Sequence, residues 1–142
     1  MPARKANAAW EGDLRSGKGR MTFGSGAFDG AYSFSSRFEE GTGTNPEELI
    51  AAAHAGCFSM ALSGILTEAG FTPTRIETAA KVFIERAEKG FSITRIELTT
   101  EGDIPGIDEE TFRKHAETAK VGCPVSKALT GTSISLEARL KQ

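Results

Sequence analysis

The stretch from Leu49 to Thr67 contains no Lys, Arg, Asp or Glu, and it limits the fold more than any other segment of the chain. Its length would suit a membrane-spanning helix. Its composition favours another interpretation, because it is rich in Ala, Ser and Gly, contains His54, and is bounded by Glu48 and Glu68. A weakly hydrophobic helix that is uncharged all round is typical of a helix buried by protein. The sequence therefore predicts a long buried central helix.

A strong helix start precedes this stretch. Asn45 can cap the helix, Pro46 suits the first helical position, and Glu48 stands three residues after the cap. Gly70 is a suitable stop. We therefore expect a helix from Pro46 to Ala69, about 36 Å long at 1.5 Å per residue.

The chain is too short to cover such a helix on every side. Its 142 residues correspond to a single domain, residues 1–142, with roughly one sheet and a few helices. One sheet covers one side of a helix, and this helix has no polar face to present to water. A second copy of the chain is the simplest cover, so the sequence predicts a homodimer.

The remaining apolar patterns predict six strands and two further helices. The segment 31–38 alternates, with aromatic residues on one face and Arg37 on the other. The apolar residues of the fifth strand change face between Ile93 and Ile96, which predicts either a bulge or burial of both faces of the strand. The order βββ-α-ββ-αα-β is an α+β arrangement with mostly antiparallel pairing. The predicted strands are 8–14, 17–23, 31–38, 75–85, 91–100 and 132–140, and the two further helices are 108–120 and 124–129.

Charge and the N-terminal residues exclude some classes of function. The net charge is −2, from 17 basic and 19 acidic residues, and there is no basic stripe, so we expect no nucleic acid partner. Arg4 and Lys5 are followed by no apolar run, so no signal peptide is predicted. We therefore expect a cytoplasmic protein without a membrane partner, whose thiols are kept reduced. In that compartment a transient catalytic disulfide is favoured over a structural one.

The chain has two cysteines, Cys57 in the uncharged helix and Cys123 in a probable turn. They could be an attacking and resolving pair, a structural disulfide, a metal fragment or two unrelated core residues. Apolar surroundings would raise the pKa of Cys57, so this residue either receives a cation from elsewhere or is a small core residue. Cys123 precedes Pro124 at a helix N-terminus, which would lower its pKa and keep its sulfur accessible, unless it is an incidental cap.

Three other residues are candidates to assist a thiol. Arg37 is the best source of a positive charge, although alternation alone points it to solvent. Glu47 stands ten residues before Cys57 and can border the same cavity, whereas Glu48 already serves the helix cap. First-turn acid placement is the alternative role for Glu47. His54 is a helical neighbour of Cys57, which suits either acyl-transfer chemistry or a hydrogen-bonded core histidine.

A metal site is the least favoured option. Two Cys and two His match a zinc site in number, but the spacings His54–Cys57 and His115–Cys123 are not those of a zinc finger. The sequence also contains no C-x-x-C motif. We predict neither a metal nor a cofactor.

Seven motifs of the chain together resemble the osmotically inducible protein C (OsmC) family, whose sister group is the organic hydroperoxide resistance proteins. The motifs occur in family order and at family spacing, and they cover nearly the whole chain. They are Trp10-Glu-Gly-Asp-Leu14, Phe38-Glu39, Gly43-Thr-Asn-Pro-Glu-Glu-Leu-Ile50, Ala52-Ala-His-Ala-Gly-Cys-Phe-Ser-Met-Ala-Leu62, Glu68-Ala-Gly-Phe-Thr-Pro73, Pro105-Gly-Ile107 and Gly122-Cys-Pro-Val-Ser126.

The resemblance implies an OsmC-like intertwined α+β homodimer with two active sites near the subunit interface. It implies thiol-dependent peroxidases that reduce organic hydroperoxides and, more weakly, hydrogen peroxide. By motif, Cys57 is the peroxidatic cysteine and Cys123 is the resolving cysteine. Glu47, the first acid after Asn45-Pro46, matches the family's catalytic glutamate, and Arg37 matches its catalytic arginine.

The mechanism that the resemblance implies begins with Arg37, which would lower the pKa of Cys57 while Glu47 holds the guanidinium. Peroxide would convert Cys57 to a sulfenic acid, and Cys123 would condense with it to a disulfide. A dithiol reductant would reset the pair, and lipoylated proteins are the donors that the family implies. Two alternatives stay open: a cysteine-dependent hydrolase that uses Cys57 and His54, and a small-molecule or regulatory thiol-binding protein on the same scaffold.

Overall fold

The computed structural model describes residues 2–142, which fall into two compact units. The first unit runs up to Leu49, and the second spans Ile50–Gln142. The predicted α+β class is confirmed, with one helix more than expected. The elements in chain order are β1 (Ala6–Glu11), β2 (Lys18–Phe23), β3 (Asp29–Tyr32), α1 (Phe34–Phe38), α2 (Pro46–Glu68), β4 (Arg75–Ala87), β5 (Gly90–Asp103), α3 (Glu109–Gly122), α4 (Pro124–Ala128) and β6 (Ser133–Leu140).

The first unit contains a three-stranded antiparallel sheet in the order β1-β2-β3. The predicted third strand over 31–38 is wrong in its second half, because β3 ends at Tyr32 and the chain turns into α1. A capping box starts that helix: the Ser36 N–H donates to Ser33 Oγ at 3.0 Å, and the Ser33 N–H donates to Ser36 Oγ at 2.8 Å. Arg37 therefore lies on a short helix rather than on a strand.

Helix α2 has the predicted start and stop. The Glu48 N–H donates to Asn45 Oδ1 at 2.8 Å, so Asn45 caps the helix. Gly70 follows the last turn with φ of 95°, in the left-handed region that favours glycine. The carboxylate of Glu48 binds the Thr44 hydroxyl, with Thr44 Oγ1 2.6 Å from Glu48 Oε1.

The second unit contains the other three-stranded sheet, in the order β4-β5-β6. β4 and β5 pair antiparallel, and β5 and β6 pair parallel. Of the two explanations predicted for the change of face in β5, the bulge is confirmed, since Phe83 pairs with Arg95 and Ile84 pairs with Ile93, which leaves Thr94 as the extra residue of β5.

The core of the second unit forms where α2 and α3 pack with the β4-β5-β6 sheet. Helix α2 contributes a buried stripe at helical spacing, which consists of His54, Phe58, Leu62 and Leu66. The other fully buried members are Ile96 and Leu98 on β5 and Phe112, Ala116 and Ala119 on α3.

The opposite face of α2 is open to solvent. We define the open face of α2 as Ala53, Gly56, Met60 and Gly64, all of them exposed. Met60 is 79% exposed, and a Cβ placed on Gly56 or Gly64 would meet no atom within 4 Å. The helix is long and apolar enough to cross a membrane by length and composition alone, but its buried stripe belongs to a protein core, which supports a soluble protein. One chain therefore leaves an apolar face of α2 uncovered.

Candidate active site

Arg37 and Glu47 form a two-pronged ion pair within the first unit. Arg37 Nε donates to Glu47 Oε1 at 3.0 Å, and Arg37 Nη2 donates to Glu47 Oε2 at 2.9 Å. Paired hydrogen bonds of this kind fix the plane of the guanidinium as well as its position. The Glu47 side chain is 8% exposed and that of Arg37 is 35% exposed. The carboxylate is thus a buried brace, and the guanidinium keeps an open side that can receive a negative charge.

Hydrogen bonds between α1 and the start of α2 hold this pair in place. Ser36 Oγ donates to the Thr44 carbonyl at 2.7 Å, and Asn45 Nδ2 donates to the Ser36 carbonyl at 2.9 Å. Ser36 precedes Arg37, and Asn45 caps the helix whose first turn contains Glu47. The residues that form α1 therefore also determine where the guanidinium lies.

An apolar cleft of about 230 Å³ lies next to Arg37 in the first unit. Phe34 and Phe38 lie one helical turn apart with ring centroids 5.0 Å from each other, and the Arg37 Cζ lies 5.2 Å from the Phe38 centroid. Such a cleft can bind an apolar group beside a cation. Its lining consists of Trp10, Leu14, Tyr32, Ser33, Phe34, Arg37 and Phe38.

The two cysteines come together within the second unit, and both are free thiols. Cys57 lies on α2 just before the buried Phe58, and Cys123 is the N-cap of α4. The Val125 N–H donates to Cys57 Sγ at 3.5 Å, and the Ser126 N–H donates to Cys123 Sγ at 3.4 Å. Both sulfurs thus lie at the first turn of α4, close enough for each to influence the pKa of the other. The pair is therefore placed to form a disulfide.

The two sulfurs differ in acidity. Burial raises the pKa of the Cys57 thiol, and the hydrogen bond with Cys123 raises it further, against a smaller lowering by the Val125 N–H. Burial also acts to raise the pKa of Cys123, but hydrogen bonds from the Ser126 side chain, Cys57 and the α4 backbone outweigh it and lower that pKa. The predicted lowering of the Cys123 pKa agrees with the structure. The expectation that its sulfur is accessible is wrong, because Cys123 is 0% exposed beneath the first turn of α4.

His54 is bonded to Ser126 rather than to Cys57. Its Nε2 lies 2.7 Å from Ser126 Oγ, and both residues are buried. The structure therefore agrees with a hydrogen-bonded core histidine and removes support for His54 as the base of a hydrolase. Ser126 was not among the predicted site residues, although its place three residues after an N-cap residue indicated that its N–H would be free to bond.

Metal ligation has no structural support within residues 2–142, where no group of three or more His, Cys, Asp and Glu side chains is arranged to hold a metal ion.

Sequence comparison relates the chain to proteins with known names. Residues 39–138 match the family model of OsmC-like proteins. The chain is 52% identical over 139 residues to the peroxiredoxin OsmC of Escherichia coli K12, covering 97% of this chain and 96% of that protein. It is 31% identical over 125 residues to the organic hydroperoxide resistance protein OhrB of Bacillus subtilis, covering 87% and 89%.

Structural comparison agrees with the sequence relationship. The crystal structure of Bacillus subtilis OhrB superposes with a TM-score of 0.75 at 28% identity and covers 95% of this chain and 98% of that one. The Legionella pneumophila protein described as an organic hydroperoxide resistance protein OsmC gives a TM-score of 0.78 at 22% identity, with coverage of 98% and 99%, and shows the same fold.

The burial of His54 predicts that acid destabilises the protein. Burial lowers the pKa of His54 from its ordinary value of 6.5. Below pH 6.5 the unfolded chain therefore binds a proton that the folded chain does not, and the free energy of unfolding falls by up to about 1.4 kcal/mol for each further pH unit until the folded-state pKa is reached. Above pH 6.5 this contribution is fully present.

Urea unfolding at pH 7, 6 and 5, at one fixed protein concentration, measures this loss. His54→Gln, which cannot titrate, is expected to show a shallower decline than the unsubstituted protein. His115→Gln is the matched control for the other histidine. Equal slopes in the unsubstituted protein and His54→Gln would contradict the prediction.

Proposed function

The chain belongs to the OsmC family, and on that premise we propose that it is a thiol-dependent peroxidase that reduces organic hydroperoxides to alcohols. The observation that carries the proposal is the pair of free thiols, Cys57 and Cys123, whose sulfurs both accept N–H groups from the first turn of α4. The name of the Escherichia coli relative, a peroxiredoxin at 52% identity, supports the same activity. The name of the Bacillus subtilis relative supports organic hydroperoxides as the substrates.

Each thiol has its own step in the proposed reaction. The Cys57 thiolate attacks the peroxide oxygen, the O–O bond breaks, and an alcohol leaves while Cys57 becomes a sulfenic acid. The Cys123 sulfur then attacks that sulfur, and a disulfide forms with loss of water. Cys57 suits the first step because it is only half-buried, whereas the buried Cys123 can be reached by Cys57 without leaving its place. A dithiol reductant, for which a lipoylated protein is a suitable donor, returns both sulfurs to thiols.

Arg37 supplies the positive charge that the first step needs. Because burial raises the pKa of Cys57, few Cys57 thiols ionise at neutral pH without a cation nearby. The guanidinium of Arg37 has an open side and is braced by Glu47, which makes it suited to hold a thiolate and the departing alkoxide.

The apolar cleft beside Arg37 suits the alkyl or aryl group of the substrate. Its aromatic lining favours organic hydroperoxides over hydrogen peroxide, which has no apolar part to bury. Oxidative and osmotic stress defence in the cytoplasm is the physiological setting that fits this chemistry. The family match at 39–138 crosses the division between the two compact units, which supports one peroxidase domain over residues 1–142.

A second copy of the chain covers the open face of α2 in the active protein. That face is apolar and long, and its glycines Gly56 and Gly64 allow another backbone to approach closely. An exposed apolar face of this kind marks an interaction surface, and a twofold homodimer is its simplest partner.

Peroxide is expected to join Cys57 and Cys123 within one chain, with the loss of two hydrogens measured by mass spectrometry. Stopped-flow oxidation should be faster with cumene and t-butyl hydroperoxides than with hydrogen peroxide. Cys57→Ser should consume no peroxide, and Cys123→Ser should stop at the Cys57 sulfenic acid after one turnover. Two free thiols after oxidation would contradict the proposal. Continued peroxide consumption by Cys123→Ser would remove Cys123 from the reaction, whereas a hydrolase activity that is untouched by Cys123→Ser would favour the hydrolase alternative.

Arg37→Ala is expected to slow the oxidation of Cys57 at pH 7 by about 10²-fold, because the charge that stabilises the transition state is lost. Arg37→Lys keeps the positive charge but cannot form the paired hydrogen bonds of a guanidinium, so it should recover only part of the rate. Arg20→Ala is the matched control, since Arg20 forms a solvent-exposed ion pair with Asp29 in the same unit. An unchanged rate and thiolate titration in Arg37→Ala would remove Arg37 from the mechanism.

Light scattering is expected to report a dimer for the unsubstituted protein. Met60→Glu places a charge in the open face of α2 and should shift the protein towards monomer, because burying an unpaired carboxylate is strongly unfavourable. Thr118→Glu adds the same charge to the exposed side of α3 and should leave the dimer intact. A monomeric unsubstituted protein, or a Met60→Glu protein as dimeric as the control, would show that another surface or no surface pairs the chains.

A further inference from the structure

The surroundings of the two sulfurs are unequal in a way that the peroxidase step does not use. Cys123 is fully buried and receives the N–H of Ser126 at 3.4 Å, and the nearby Ser126 hydroxyl acts to lower its pKa. Cys57 is half-buried and receives a single backbone N–H, from Val125 at 3.5 Å. Negative charge on sulfur is therefore better stabilised at Cys123, while access from solvent is better at Cys57.

His54 holds the Ser126 hydroxyl in this arrangement. Burial lowers the pKa of His54, so its ring is neutral at pH 7 and carries one N–H. Nδ1 is buried and has no partner among residues 2–142, whereas Nε2 lies 2.7 Å from Ser126 Oγ. A proton on Nδ1 would be a buried orphan donor, which is rarer than a buried orphan acceptor. With the proton on Nε2, His54 donates to Ser126 Oγ, and the Ser126 hydroxyl proton is left to donate to Cys123 Sγ.

We propose that this His54–Ser126–Cys123 chain of hydrogen bonds makes Cys123 the leaving group when the disulfide is reduced, and so directs the reductant to Cys57. The inference rests on the proposed function only in that it requires the Cys57–Cys123 disulfide. Ser126 contacts the reacting sulfur, and His54 is a positioning residue that acts through Ser126.

Reduction of the Cys57–Cys123 disulfide by a dithiol takes place in two successive displacements at sulfur. One thiolate of the dithiol reductant attacks Cys57 Sγ, so a bond forms between the reductant and Cys57 while the Cys57–Cys123 bond breaks. Cys123 leaves with the bonding electron pair as a thiolate, which the Ser126 N–H and hydroxyl stabilise. The second thiolate of the reductant then attacks the reductant sulfur that is bonded to Cys57, and Cys57 leaves as a thiolate. The reductant is oxidised to a disulfide, and the protein gains two electrons and two protons.

Attack on the other sulfur is disfavoured on two grounds. The reductant would have to reach Cys123, which is 0% exposed, and it would have to expel Cys57, whose sulfur has fewer donors to stabilise its charge. Exchange is faster when the departing thiol is the more acidic one and when the attacked sulfur is accessible. Both conditions select Cys57 as the point of attack.

Trapping the mixed disulfide tests the direction of attack. The full-length protein is oxidised with diamide, mixed with the monothiol 2-mercaptoethanol, quenched in acid within milliseconds and mapped by mass spectrometry. The expected adduct is on Cys57, with Cys123 free. An adduct found mainly on Cys123 would overturn the inference. Because diamide makes the disulfide without peroxide, a failure of peroxide to oxidise the protein would count against the proposed function alone.

Substitution of Ser126 tests the chain of hydrogen bonds. Ser126→Ala keeps the backbone N–H but removes the hydroxyl, and it should slow reduction of the diamide-formed disulfide by roughly 10-fold. Ser126→Thr retains a hydroxyl and should recover most of the rate. Ser59→Ala is the matched control, because Ser59 lies on α2 and its hydroxyl also bonds a side chain from another element, that of Thr78 at 2.8 Å, rather than a cysteine. Equal rates in Ser126→Ala and Ser59→Ala would overturn the role of Ser126.

Thiolate titration in the Cys57→Ser background separates a specific role from general loosening of the fold. Ser126→Ala and His54→Gln should both raise the pKa of Cys123, measured by thiolate absorbance, whereas Ser59→Ala should not move it. Unfolding curves on the same proteins identify any variant whose fold is lost. A Cys123 titration that is unchanged in a folded Ser126→Ala protein would contradict the proposed stabilisation.

Discussion

Burial of a single stripe of α2 is the constraint on which the rest of the second unit depends. Phe58, Leu62 and Leu66 are fully buried, and each such side chain contributes about 1.5–3 kcal/mol by leaving water. The same packing fixes the rotation of the helix. Cys57, one residue before Phe58, is thereby held at the edge of the stripe, where its sulfur is half-buried and meets the start of α4.

The difference in acidity between the two sulfurs comes from hydrogen bonds rather than from burial. Burial acts to raise the pKa of both thiols, yet only Cys57 retains a raised pKa. Cys123 differs because it occupies the N-cap of α4, receives the N–H of Ser126 and has the Ser126 hydroxyl nearby. A local hydrogen-bond geometry thus divides two chemically identical side chains into an accessible sulfur and a better-stabilised one.

Several features were predictable because they depend on neighbours in sequence. The ends of α2 are marked by Asn45, Pro46 and Gly70, and the change of face near Ile93 marks the bulge at Thr94.

The second half of the strand predicted over 31–38 was wrong for a physical reason. Its alternation of aromatic and polar residues also fits one turn of helix, in which the Phe34 and Phe38 rings are in tilted contact, and the reciprocal Ser33–Ser36 bonds favour the helix.

The sequence by itself determined the residue types, the helix boundaries and the motif identity of the chain, including both cysteines and the Arg37 and Glu47 candidates. The helix boundaries follow from spacing and propensity, which act over a few residues, and the motif identity follows from the resemblance to the OsmC family. Only the tertiary structure decided that Cys123 is buried, that His54 bonds Ser126, and that Arg37 meets Glu47 through both oxygens. These depend on contacts between residues distant in the chain, such as His54 and Ser126, and no local pattern encodes which side chains such packing will bring together.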